Sequence, residues 1–261
     1  MCKFDILNKA TEFIYDAANE VIIKVNRGSE FALSNRIIFP GYDYKSNNGD
    51  IILPYSDEQI NKQTSECKKT LVVFIGGCGD SIFEPLLSNV FAPYEKAYGH
   101  GINRLQDVCY SEHGGGNVPP LMERWFKAGQ KIVLVGHSWG GHRVVKLALD
   151  NSHITIDLLV TLDPVSHFPK NTISKPDNVK RWINSYVQYK IKRVAKDFWK
   201  DKSTITNGNA VALVGHPWEC CKGAENFIVN KNNDGTFNDI SHADALAMFR
   251  NSGAENEVIK M

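Results

Sequence analysis

Apolar positions along the chain alternate between short unbroken runs and stretches where they recur every three or four residues. The first pattern reads as strands buried on both faces, the second as amphipathic helices. Thr70-Leu71-Val72-Val73-Phe74-Ile75 is the first clear strand and ends in Gly76-Gly77-Cys78-Gly79. A helix is predicted next, with Ser81 and Glu84 as a capping box, Leu86, Leu87, Val90, Phe91 and Tyr94 as its apolar face, and Pro93 as a kink. A short strand around Asp107 to Tyr110 leads through Gly114-Gly115-Gly116 to a helix opened by Pro119-Pro120. That helix carries Leu121, Met122, Trp125 and Phe126 and stops near Gly129.

Gln130 to Val135 supplies another buried strand, and beyond it Val144, Val145, Ala148 and Leu149 recur at helical spacing. Leu158 to Leu162 is a further strand, closed by Asp163-Pro164. From Asn178 to Tyr189 the pattern fits either period. Val179, Ile183 and Tyr186 suit a helix, while Trp182, Asn184 and Tyr186 suit a strand. Ala210 to Val214 and Asn226 to Val229 are strand candidates, and Ser241-His242-Ala243-Asp244 starts a last helix with Leu246, Ala247 and Phe249 facing the core. Alternation of this kind predicts an α/β fold: a mostly parallel sheet with helices on both faces, in three layers. Upstream, Val21 to Ile23, Arg36 to Phe39 and Ile51 to Leu53 are separated by turn residues, so residues 1–69 read as an extension with antiparallel strands. The whole, 1–261, reads as one domain, with 166–208 as a lid or insertion.

Composition narrows the function classes. At 261 residues, 43% apolar and net charge +1, the chain can bury one large core and carries no global charge that would favour nucleic acid. No apolar run approaches the roughly 18 residues of a membrane span. The start, Met1-Cys2-Lys3-Phe4-Asp5, lacks the plan of a secretory signal, so synthesis in the cytoplasm is expected, with any export by a non-classical route such as a bacterial secretion system. Six cysteines show no Cys-x-x-Cys spacing, which points away from a metal or redox centre; the adjacent Cys220 and Cys221 are open to oxidation outside a reducing compartment. No cofactor fingerprint is present.

The chemistry concentrates at Gly136-His137-Ser138-Trp139-Gly140-Gly141, set between a buried strand and a helix. Glycines permit a turn too sharp for residues bearing a Cβ, leaving Ser138 exposed at its tip against a helix N-terminus: a nucleophile elbow. A serine hydroxyl needs a base, and the base needs an acid that fixes its tautomer. On an elbow of this kind the partners follow in the order Ser, Asp or Glu, His. Asp163, at the end of the next strand, fits the acid, with Asp177 and Asp201 as fallbacks. Among eight histidines, His242 fits the base by its late position and His216 is the alternative. His137 is expected to point away from the serine in a structural role. For the oxyanion, Trp139 offers its backbone N–H and Gly77 or Cys78 offers a second. Trp139 and Phe168 are candidates for the wall of an acyl pocket.

Gly-His-Ser-Trp-Gly-Gly, Leu-Asp-Pro and the late Ser-His-Ala-Asp together resemble the α/β-hydrolase superfamily, especially its lipases and esterases, over roughly residues 70 to 249. The Leu-Asp-Pro setting is similar to the lipase branch whose acid follows the strand after the elbow. That resemblance implies a cofactor-independent hydrolase of lipid or other acyl esters. The stretch Phe74 to Asp80 and the start without a signal also resemble bacterial lipase-like proteins that include phospholipase toxins injected by type VI secretion, for which an immunity protein is the implied partner. Residues 189–202, with Ile191, Val194, Phe198 and Trp199 ringed by lysines and Arg193, fit either a helix packed on the sheet or a segment lying on an anionic membrane or over the site. A non-catalytic binding module on a degenerate hydrolase fold is the remaining alternative.

Overall fold

The computed structural model describes residues 37–38, 70–77, 80, 85–99, 106–114, 118–166, 173–188 and 216–261, with only the backbone of 37–38. The candidate strands at 21–23, 51–53 and 210–214, the 81–84 capping box, the 189–202 segment, Cys78, Phe168, His100, His167 and Asp201 lie outside them.

A seven-stranded sheet organises the described residues. Its strands are β1 (Ile37–Ile38), β2 (Thr70–Ile75), β3 (Gln106–Ser111), β4 (Lys131–His137), β5 (Ile156–Leu162), β7 (Val179–Tyr186) and β9 (Glu225–Ile228), in the order β1-β3-β2-β4-β5-β7-β9. All neighbours are parallel except β1, which runs antiparallel to β3 at one edge. A separate ribbon pairs β6 (Val165–Ser166) with β8 (His216–Pro217).

Alternate residues of each strand feed two cores, as a sheet covered on both sides requires. Leu71, Val73, Ile75, Ile132 and Leu134 meet α2 (Val118–Lys127) and α3 (Trp139–Asp150). Val72, Phe74, Val133, Val135 and Val160 meet the other layer. That layer comprises a helical stretch around α1 (Ala92–Tyr94), then α4 (Ala245–Asn251) and α5 (Ala254–Ile259). The three-layer α/β expectation therefore holds.

Local departures have physical causes. The helix predicted after β2 carries π-helical turns, Leu87–Phe91 and Glu95–Gly99, on either side of α1. Pro93 has no N–H for the α ladder, and the wider i→i−5 pattern runs up to it, with Phe91 N–H donating to the Leu86 carbonyl at 2.8 Å. Buried Asp80 holds the start of this stretch, accepting from the N–H groups of Leu86 at 2.8 Å and Leu87 at 3.0 Å and from the Tyr110 hydroxyl at 2.7 Å.

Within the ambiguous 178–189 segment, Val179–Tyr186 form a strand. Trp182 to Tyr186 are buried consecutively, because β7 lies between β5 and β9 and both its faces are covered. Its buried polar side chains are paired: Asn184 accepts from Thr161 Oγ1 at 2.8 Å and donates to Asn226 Oδ1 at 2.9 Å, while Ser185 Oγ donates to the Met248 carbonyl at 3.2 Å. On α3, Leu149 is exposed and Leu147 occupies the core in its place. On α4, Ala245, Met248 and Phe249 are buried, while Leu246 and Ala247 are only half-buried.

Candidate active site

β2 leads outward to β3, and the chain then passes back over β2 to form β4, so the winding reverses between β2 and β4. In open α/β sheets the crevice beyond the carboxyl ends of strands at such a reversal is where ligands bind. Gly77 lies just past the carboxyl end of β2, and Ser138 directly follows β4.

Ser138 has φ 56° and ψ −124°, a backbone few non-glycine residues adopt, and it stands at the N-terminus of α3. The turn is pinned on both sides. Its N–H donates to the Leu162 carbonyl at 3.0 Å, and its carbonyl accepts from Gly141 at 3.0 Å and from Val165 at 3.0 Å. The glycines are required by contact: a Cβ on Gly140 would stand 2.1 Å from the Ile75 carbonyl oxygen, and one on Gly77 would stand 2.7 Å from the Ser138 Cβ. The Ser138 hydroxyl group thus lies beside the Gly77 backbone, at the positive end of a twelve-residue helix.

Parallel register brings Asp163 alongside. His137 pairs with Leu162 and Leu162 with Ser185, so Asp163 emerges next to Ser138. Asp163 has φ 42°, and with Ser138 it is one of two non-glycine positive-φ residues among those described. Its N–H donates to the Ser185 carbonyl at 2.7 Å, and its Oδ1 accepts from the Val187 N–H at 3.1 Å. The carboxylate is nearly inaccessible, at 1% exposure, and its Oδ2 lies 2.6 Å from Nδ1 of His242.

His242 lies in a turn rather than in the first turn of a helix as the sequence led us to expect. Asp244 accepts from Ser241 N–H at 2.7 Å and Ser241 Oγ at 2.9 Å, closing a tight loop before α4 begins at Ala245. That loop extends His242 from the β9 side of the sheet toward β5. Its backbone carbonyl is tied to His137, whose Nε2 lies 2.8 Å from it in a buried contact. The two imidazole rings are tilted against each other with centroids 4.7 Å apart. Burial, then the proximity of His242, push the His137 imidazole down from 6.5 to about 3, so this ring is neutral through the ordinary pH range.

Trp139, the first residue of α3, packs its indole edge to face against His113 at 5.6 Å. His142 meets Trp218 at 5.3 Å, and the Trp218 backbone N–H donates to the Pro164 carbonyl at 2.9 Å, joining the segment after β8 to the turn that holds Asp163. Neither the His113 contact nor the His137–His242 contact was legible beforehand, since both join residues distant in sequence.

The competing candidates among the described residues take no part in the Asp163–His242 contact. Asp177 is exposed in the turn that enters β7, at the amino end of the strand and away from Ser138. His216 is exposed on the β6–β8 ribbon opposite Ser166. His153 bonds Glu123 at 2.7 Å on the surface. Among the described residues, Cys109, Cys220 and Cys221 are free thiols, and burial pushes the Cys221 thiol up to about 12. No cluster of three metal-ligating side chains and no helix long and apolar enough to cross a membrane occurs among the described residues.

No protein-family model matches the chain, and no curated protein matches it. Solved structures resemble it in part, two of which are described. One is a provisionally assigned hydrolase of the alpha/beta superfamily from Xanthomonas campestris pv. campestris, with 14% identity and TM-score 0.36 over 73% of this chain and 98% of that one. The other is a predicted CIB-like hydrolase from Thermoplasma acidophilum, with 12% identity and TM-score 0.35 over 75% of this chain and 88% of that one. At such low scores the weight rests on the strand order, the elbow and the side chains gathered around it.

Proposed function

We propose that this chain, built on the α/β-hydrolase fold, is a serine hydrolase that cleaves carboxylic esters through an acyl-enzyme on Ser138. The observation that carries the reading is the 2.6 Å contact between His242 Nδ1 and Asp163 Oδ2, made beside a serine held in elbow geometry. A carboxylate accepts, so His242 carries its proton on Nδ1, and its Nε2 is left with a lone pair able to take the serine proton.

In the proposed cycle Ser138 Oγ attacks the ester carbonyl carbon as His242 Nε2 removes its proton. Asp163 steadies the imidazolium, and the negative charge on the carbonyl oxygen is received by backbone N–H groups at Trp139 and at Gly77 or Cys78. Collapse breaks the bond to the alcohol oxygen, which leaves with the proton from His242. Water then gives its proton to His242, attacks the acyl carbon and releases the acid, and the proton returns to Ser138. Lipid esters are the substrate class this reading places first.

The test is labelling by a fluorophosphonate, together with hydrolysis of short p-nitrophenyl esters and of a phospholipid and glyceride panel read by mass spectrometry. Wild type should label and turn over esters, Ser138→Ala should do neither, and Asp163→Asn should lose roughly 10³- to 10⁴-fold in kcat. Undiminished labelling of Ser138→Ala removes that serine from the role. Turnover confined to soluble short-chain esters removes the lipid assignment and leaves the esterase.

A further inference from the structure

We infer that His137 is a positioning residue for His242, a fixed neutral donor that ties the base's loop to the strand bearing the nucleophile. The inference rests on the serine hydrolase reading above and adds a residue to it.

The hydrogen-bonding groups leave little choice of tautomer. The His242 carbonyl oxygen can only accept, so His137 Nε2, 2.8 Å away, must carry the proton. His137 Nδ1 is then the bare nitrogen, and it is buried with no hydrogen-bond partner among the described residues. Protonating it would place a charge in a closed site with nothing to receive the new N–H, directly against the ring that itself becomes cationic during turnover. A neutral ring lets the His242 imidazolium form beside it without repulsion.

The placement is economical in sequence. His137 is the last residue of β4 and Ser138 is the next. Hence the His242 backbone is referenced to the nucleophile through one peptide unit and one hydrogen bond, while its ring is referenced to Asp163 through another. Two anchors, one on the main chain and one on the side chain, fix both the distance and the rotation of the base. The loop's own Ser241–Asp244 contacts shape the turn without docking it on β4.

Two variants separate this role from simple packing. His137→Leu removes the donor and keeps an apolar side chain; His137→Gln offers an amide N–H at similar reach. On a p-nitrophenyl ester, His137→Leu should lower kcat by about 10- to 100-fold with KM within about twofold, and slow fluorophosphonate labelling in proportion. His137→Gln should recover most of that loss. In wild type, nitrogen-15 NMR should show His137 in the Nε2–H form, without titration between pH 5 and 9.

A folded His137→Leu with wild-type kcat, a folded His137→Gln as slow as His137→Leu, or a His137 that titrates near pH 6.5 would each overturn the assignment. If His137→Leu does not fold, the glutamine variant and the NMR tautomer decide it. Loss of labelling in Ser138→Ala alongside full activity in His137→Leu sinks this inference alone. A wild type that neither labels nor hydrolyses esters sinks the hydrolase reading, and the positioning role with it.

Discussion

Gly77 sets the room that Ser138 has. A methyl group there would stand 2.7 Å from the serine Cβ, closer than real contacts allow, and a tight 3.2 Å from its Oγ, so Gly77→Ala must displace the hydroxyl or the loop. An ångström of misplacement at a reacting atom costs about a hundredfold in rate. Gly77→Ala should therefore lower kcat by about that factor while melting only a few degrees below wild type, which kinetics and thermal unfolding would show together. Chain order could single out Ser138, Asp163 and His242 as candidates because each follows a strand or loop that the hydrophobic pattern marks. What was not legible is what each side chain touches. That the Val187 N–H would meet Asp163, or His137 the His242 carbonyl, depends on strand register and loop docking, which appear in the sequence only as apolar runs.

Among the elements, β9 at the sheet edge is held by charge as well as by its ladder. Arg181 on β7 donates from Nε and Nη2 to Glu225 on β9, at 2.6 and 2.9 Å, and from Nη1 to Glu257 on α5. Hydrogen bonds from Arg181 hold the Glu225 carboxyl below its ordinary value, and those from Lys260 and then Arg181 do the same for Glu257. A carboxyl depressed in the folded state stabilises fully above its unfolded value, near 4.5, and that contribution is lost as pH falls through the folded value. Arg181→Met should melt about 1–3 °C lower at pH 7, and the gap should close as the pH is taken below 4.5; equal melting at pH 7 would show the network to be inert. β7 itself shows where periodicity fails. A strand buried on both faces with paired Asn184 and Ser185 alternates in neither period, so sequence could not separate it from a helix. The start of α4 failed for another reason: Ser241 and Asp244 carry the chemistry of a helix cap but spend it on closing the His242 turn.

Across the molecule, the two ends of the sheet do different work. The amino ends of three adjacent strands are tied to the segment at and beyond α5: Thr70 Oγ1 and Lys131 Nζ donate to the Met261 carbonyl at 2.8 and 3.1 Å, and Gln106 Nε2 donates to the Val258 carbonyl at 2.7 Å. Strands of six or seven residues put this closure about 20 Å from the carboxyl-end site. Deleting residues 254–261 exposes the core around Ala254 and Val258 and should lower the melting temperature by about 5–10 °C, with the fraction that remains folded labelling at the wild-type rate. The site, by contrast, holds both of the described non-glycine residues at positive φ. Strain of about 1–3 kcal/mol at such a position outweighs the flexibility that a glycine adds to the unfolded chain, so Ser138→Gly should melt about 2–4 °C above Ser138→Ala. A lineage of this protein released from the proposed reaction would thus have a short mutational route toward greater durability, its inert descendants outlasting their ancestor.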